Sequence, residues 1–136
     1  MTTTVQNIMS TRVVSVEHDD RLGVIKDIFD AMKFHHLLVV EKGKLQGVIS
    51  DRDLLRALSP FIGTLAETAR DSNTLDKRAH QIMSRKPVTL TGEASLATAI
   101  DVFLTRGISC LPIVDEHNHP VGIVTWRDVL RAVRPK

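Results

Sequence analysis

The chain is written twice. Shifted against itself by 74 residues, it lays Ile8–Met9–Ser10 on Ile82–Met83–Ser84, Val14 on Val88, Leu22 on Leu96 and Asp27 on Asp101. The same shift pairs Phe29 with Phe103, Leu37 with Leu111 and Val40 with Val114. After one extra residue in the second copy, Gly47 meets Gly122, Arg52–Asp53 meets Arg127–Asp128, and Leu55–Arg56–Ala57 meets Leu130–Arg131–Ala132. A repeat of this length dictates the architecture, because each copy must form the same supersecondary unit. A unit of about 55 residues is marginal by itself. Two copies that share a core are expected, with their sheets packed together and pseudo-twofold symmetry.

Both copies predict the same elements. RVVSV (12–16) and PVTL (87–90) are β-branched runs, hence strands. A helix follows, with its apolar stripe at Leu22, Ile25, Ile28, Phe29 and Met32, and in the second copy at Leu96, Ile100 and Phe103. HHLLVVE (35–41) and SCLPIVD (109–115) are strands, and the polar turns EKGKL and DEHNHP lead into the returning strands VIS and IVT. A second helix, 51–58 or 126–133, closes each unit. The order β-α-β-β-α therefore occurs twice, in a mixed α/β (α+β) fold. The expected boundaries are 1–58 for the first repeat, 59–79 for a link broken by Pro60 and Gly63, and 80–136 for the second repeat.

Charge and composition narrow the function classes. The formal net charge is only +2 and no basic run occurs, so nucleic-acid binding is not expected. A single cysteine, Cys110, excludes an internal disulfide and fits a reducing compartment. The start MTTTVQNIMSTR lacks the pattern of a signal peptide, and no stretch approaches the roughly 18 apolar residues of a membrane span. A cytoplasmic protein without membrane attachment is expected.

The endings GVISDRD and GIVTWRD pose the functional question. A hydroxyl residue followed three places later by a carboxylate is a capping-box-like helix start, in which Ser50 or Thr125 caps free amides beside Asp53 or Asp128. On that reading the glycines merely leave a turn. A ligand-holding role is compatible with the same geometry, since an empty site still needs its helix ended.

The paired β-α-β-β-α units, the I-M-S openings, the L-P-I-V strand and the G-h-h-[ST]-x-x-D endings resemble a tandem cystathionine-β-synthase (CBS) domain pair of the stand-alone, bacterial type. The likeness covers nearly the whole chain. It implies two clefts between the repeats that bind adenosine nucleotides such as AMP, ADP or ATP, and association into a homodimer. Carried over by position, Asp53 and Asp128 would grip ribose hydroxyls. Ser50, Arg52, Thr125, Arg127, His35 and His36 would serve phosphates. Val14, Leu37, Val88, Ser109 and Leu111 would line the adenine. The family pattern further implies that Asp128 works with Met9 to Val14 and Phe34 to Leu37, and Asp53 with Met83 to Val88 and Ile108 to Leu111. The His pair then falls to the Asp128 cleft, opposite Ser109 and Cys110 in the other copy.

Such a module acts by population shift, sensed by an unidentified protein partner. A module that binds no ligand and only dimerises, or one that binds S-adenosylmethionine or NAD, fits the same motifs. No nucleophile, general base or metal cage is arranged for turnover, so the chain is expected not to be an enzyme. His117 and His119 lie near Asp115 and Glu116 in a turn, but with no distant fourth ligand they read as solvated rather than as a zinc site. Cys110 reads as a buried structural thiol. Trp126, which replaces Asp51, reads as packing or interface.

Overall fold

The computed structural model describes residues 3–32 and 34–135, so residues 1 and 136, the outer limits of the expected repeats, fall outside it. The first repeat runs β1 (Ser15–Glu17), α1 (Leu22–Ala31), β2 (His36–Glu41), β3 (Lys44–Ser50) and α2 (Asp51–Ala57). The connection contains α3 (Ala69–Ser72), a 3-10 turn at Asn73–Asp76, α4 (Ala79–Ile82) and β4 (Ser84–Arg85). The second repeat supplies α5 (Leu96–Arg106), β5 (Cys110–Val114), β6 (Pro120–Thr125) and α6 (Trp126–Val133). The turn of the first hairpin, Lys42–Gly43, has φ of 52° and 79°. Positive φ at both positions matches the twist of the flanking strands, and a glycine at the second makes it inexpensive.

The compact units are not the sequence repeats. One unit comprises Val14–Glu41 and Gln46–Lys86; the other comprises Met1–Val13, Lys42–Leu45 and Pro87–Lys136. Each repeat therefore has its opening segment in the unit built around the other repeat. In the first of these units the sheet order is β1-β2-β3-β4, with β1 parallel to β2 and β4 antiparallel to β3. The β4 lane comes from the start of the second repeat, Gly47 opposing Arg85 and Val48 opposing Ser84. Its core is Val16, Leu22, Ile25, Leu37, Val39, Ile49, Leu54 and Ala79, with Ile82 and Met83 packed against it.

The other unit has the same four lanes, two of them reduced to single bridges. β5 and β6 are antiparallel neighbours, Ser10 bridges Ile123 beside β6, and Leu90 bridges Ile113 beside β5. Ser10 and Ile123 exchange both backbone bonds at 2.9 Å. The core is Val5, Ala99, Phe103, Leu111, Ile113, Val124 and Val129, with Ile8 and Met9 against it. Val5 and Ala79, one repeat length apart, are both 0% exposed.

The expected strand at 87–90 is absent as a strand, and Pro112 explains why. In the first repeat the Leu38 amide donates to the Val14 carbonyl at 3.0 Å. The matching position in the second repeat is Pro112, which has no N–H to give. Only the bonds from Leu90 N–H to the Pro112 carbonyl (3.3 Å) and from Val114 N–H to the Leu90 carbonyl (2.9 Å) remain. The first copy's strand is also shorter than 12–16, covering only Ser15–Glu17.

The paired glycines have a role that the turn reading missed. A Cβ on Gly47 would lie 2.6 Å from Met83 Sδ and 2.7 Å from the Ser84 carbonyl. A Cβ on Gly122 would strike Met9 Sδ and lie 2.8 Å from Met9 Cγ and 3.0 Å from the Ser10 carbonyl. Neither glycine has a positive φ, so space and not backbone conformation demands them. Gly47→Ala and Gly122→Ala should each cost about 1–3 kcal/mol by overpacking. Gly23→Ala, where the nearest atoms are 3.8 Å away inside α1, should gain about 0.5–1 kcal/mol. Urea unfolding of the three variants measures both signs.

Candidate functional site

Both expected helix starts form as capping boxes. At α2, the Ser50 amide donates to Asp53 Oδ2 at 2.8 Å, and the Asp53 amide donates to Ser50 Oγ at 3.1 Å. At α6, the Thr125 amide donates to Asp128 Oδ2 at 2.9 Å and its hydroxyl reaches the same oxygen at 3.3 Å. The cap reading is thus realised in full at α2, whereas at α6 the bonds run from Thr125 to Asp128 and the Thr125 side chain accepts no helix amide. It engages one carboxylate oxygen of each aspartate and leaves the other outside the box. Asp53 and Asp128 are half-buried, whereas Arg52 and Arg127 are exposed.

Around α2 the chain gathers a denser polar group than the motif alone suggests. The Asp51 amide donates to the His35 carbonyl at 2.9 Å, tying the start of β2 to the start of α2. His35 Nδ1 lies 3.0 Å from Asp51 Oδ2. That hydrogen bond, ahead of opposing desolvation, holds the Asp51 carboxyl below its ordinary value. His36 is half-buried, and burial lowers its pKa despite the nearby charges of Asp51 and Asp53. Sequence reasoning did not select Asp51. Its partner is 16 residues away, and only the adjacency of strand start and helix start brings them together.

The remaining expected site residues divide by unit. Asp53, Ser50, Arg52, His35, His36, Val14 and Leu37 belong to one unit; Asp128, Thr125, Arg127, Val88, Ser109 and Leu111 belong to the other. Of the segments expected beside Asp53, Met83 and Ser84 pack along Gly47–Val48, the strand that leads into α2. Of those expected beside Asp128, Met9 and Ser10 pack along Gly122–Ile123, the strand that leads into α6. Leu37 and Leu111 are 0% exposed core residues, so their side chains offer no accessible surface. Val14 and Val88 are half-buried and Ser109 is exposed.

The second mouth is built on different chemistry. Cys110 stands opposite Thr125 in the β5–β6 ladder and is buried. Burial first, and then the charge of Asp128, pushes its thiol up to about 12. Trp126, at the place of Asp51, lies with its ring 4.9 Å from that of Phe103. In the β5–β6 turn, Asp115 Oδ1 accepts the amides of His117 and His119 at 2.9 Å each, which is a turn-forming role. Among the described residues no group of three His, Cys, Asp or Glu side chains could hold a metal ion. No helix among them is long and apolar enough to cross a membrane.

The CBS domain family profile matches residues 5–60 and 79–135. A CBS domain-containing protein of Dictyostelium discoideum is 31% identical over 128 residues, covering 93% of this chain and 88% of that one. Three further curated relatives are longer, and the chain spans between 28% and 44% of their length. Among solved structures, CBSX2 in complex with AMP superposes with a TM-score of 0.79 at 26% identity, covering 96% of this chain and 95% of that one. The CBS domain pair of protein MJ0100, in complex with 5′-methylthioadenosine and S-adenosyl-L-methionine, gives 0.77 at 25% identity, covering 97% and 96%.

Two outcomes test the local chemistry. Cys110 should stay unreactive towards a thiol reagent at pH 8 in the native protein and react fully in denaturant, because a native thiol near 12 supplies almost no thiolate. His36 is a base whose folded pKa lies below its ordinary 6.5. The unfolded chain then binds the proton more readily, so the His36 contribution to stability is constant above about 6.5 and declines as pH falls from there to the folded value. His36→Gln should flatten that part of a denaturation-against-pH curve.

Proposed function

Because the chain belongs to the CBS domain family, we propose that it is a non-catalytic regulatory module that binds an adenosine ligand at the α2 and α6 mouths and associates as a homodimer. The observation that carries this reading is the duplicated box, in which each aspartate uses only Oδ2 to cap its helix. A carboxylate so held is pre-oriented, and its second oxygen can accept ribose hydroxyls with charge-assisted strength. Ser50 and Arg52 then serve phosphates beside Asp53, Thr125 and Arg127 serve them beside Asp128, and the His pair, which the family pattern assigns to Asp128, is the further phosphate candidate. Val14, Val88 and Ser109 are the candidate adenine contacts, with Leu37 and Leu111 contributing backbone.

The ligands of the two solved relatives share an adenosine and differ beyond it, AMP in one case and thioether or sulfonium compounds in the other. The exposed arginines and the His pair favour a phosphate-bearing ligand, AMP, ADP or ATP. Ser109 and Cys110 replace the His pair in the second copy and offer less cationic chemistry, so the two mouths should differ in affinity. Binding would shift the balance between conformations, and a partner protein would read the shift.

Calorimetry with AMP, ADP, ATP and S-adenosylmethionine tests the proposal. Asp53→Asn and Asp128→Asn should each weaken the preferred ligand about tenfold or more, since one charge-assisted bond is lost. Their melting temperatures should hardly change, because the asparagine side-chain oxygen can still accept the Ser50 or Thr125 amide. Equal binding in the double variant would overturn the reading. A phosphate placed beside His36 draws its lowered pKa back up, so ATP or AMP affinity should rise as pH drops from 8 to 6. S-adenosylmethionine should show no such gain.

A further inference from the structure

The start of α2 carries a side-chain pair that the fold does not need. His35 and Asp51 are already tied through their backbones, the Asp51 amide donating to the His35 carbonyl at 2.9 Å. Their side chains then meet a second time, with His35 Nδ1 at 3.0 Å from Asp51 Oδ2. These side chains are 79% and 45% exposed, and a pair so open to water adds little to stability. The second repeat folds without it, since Ser109 and Trp126 stand at the matching positions. What the pair does accomplish is to settle the chemistry of one imidazole.

The place of the proton follows from the partner. Asp51 is held below the ordinary carboxylate range, first by its bond to His35 and further by the Arg52 backbone, so at neutral pH it is ionised and can only accept. The hydrogen of the pair therefore sits on His35 Nδ1, which fixes the tautomer. Nε2 lies on the far edge of the ring from Asp51. It is an acceptor while the ring is neutral and donates to a phosphate oxygen once the ring carries both protons. An imidazolium held between a carboxylate and a phosphate is favoured by both. The other charged groups around this ring are His36 beside it, Arg52 and Asp53 along α2, and Asp30 of α1, which lines the same open groove and pairs with Lys26 at 2.7 Å.

We propose that Asp51 is a positioning residue for phosphate-bearing ligands: without touching the ligand, it holds His35 with Nε2 turned away from α2 as the phosphate donor. The inference rests on the reading above in which the His pair serves phosphates, and adds what orients it. The sign of the effect separates this role from plain electrostatics. A carboxylate near a phosphate repels it, so Asp51→Asn acting by charge alone would tighten AMP and ATP. Acting through His35, the same change weakens them. An asparagine can donate to Nδ1 as well as accept from it, so the tautomer is no longer dictated, and the negative charge behind the imidazolium is gone.

Calorimetry at pH 7 with adenosine, AMP and ATP reads that sign. Asp51→Asn is expected to weaken AMP and ATP about fivefold to tenfold, with adenosine affinity and melting temperature little changed. His35→Gln should give a similar loss, and in that background Asp51→Asn should cost nothing further or restore some affinity. Proton uptake on AMP binding, measured from the binding heat in two buffers of different ionisation enthalpy, should fall in both single variants. Nitrogen-15 spectra of the ligand-free protein at pH 8 give a readout that needs no nucleotide: His35 should show the Nδ1–H tautomer in the unmodified chain and an Nε2–H component in Asp51→Asn. The same tautomer in both, or AMP bound by Asp51→Asn as tightly as before or more so, would overturn this role while leaving nucleotide binding intact. An unmodified chain that binds AMP no better than adenosine would remove the phosphate reading itself, and this inference with it.

Discussion

The close approach of two backbones at Gly47 and Gly122 is the constraint on which the rest hangs. Met83–Ser84 and Met9–Ser10 can run against the strands that feed α2 and α6 only because no Cβ stands in the way. That contact closes each sheet on its outer side and delivers Met83 and Ile82 to one core, Met9 and Ile8 to the other. It also fixes the height at which each strand ends, hence where Ser50 and Thr125 turn the chain into a helix. The capping boxes complete the sequence of causes: strand placed by glycine contact, helix start placed by strand, carboxylate placed by helix start.

From that scaffold the two mouths diverge through single replacements. Where the first repeat has His35, His36 and Asp51, the second has Ser109, Cys110 and Trp126. The first set is a hydrogen-bonded, titratable group in which His36 is lowered by burial and Asp51 by its histidine neighbour. The second set is a suppressed thiol and an aromatic stack. The same backbone thus carries a polar, titratable set at the start of one helix and a packed, apolar one at the start of the other.

Much of this was legible beforehand. The buried stripe of α1 at Leu22 and Ile25, and the starts of α2 and α6 at Ser50 and Thr125, follow from periodicity and capping chemistry, which are local properties. The exchange of opening segments was implied by the family pattern, which set Met83 to Val88 beside Asp53 and Met9 to Val14 beside Asp128, but not by the residues themselves. Ile8–Met9–Ser10 and Ile82–Met83–Ser84 are identical, so either would suit either sheet, and only the connection through three dimensions decides between them. Pro112 was visible, but its effect depends on which strand it faces. Asp51 gained its partner through an adjacency that no spacing announces.

The exchanged segments also set an order of assembly. Val5, Ile8 and Met9 leave the ribosome well before the core that receives them, which is made of residues beyond 86. This segment must therefore wait, its apolar side chains unclaimed, while the residues between are made, and its docking is a closure of high sequence separation, the slow kind. Until then Gly122 and its strand present an unpaired edge, which is where a nascent chain of this design is most exposed to mispairing or to a chaperone's grasp.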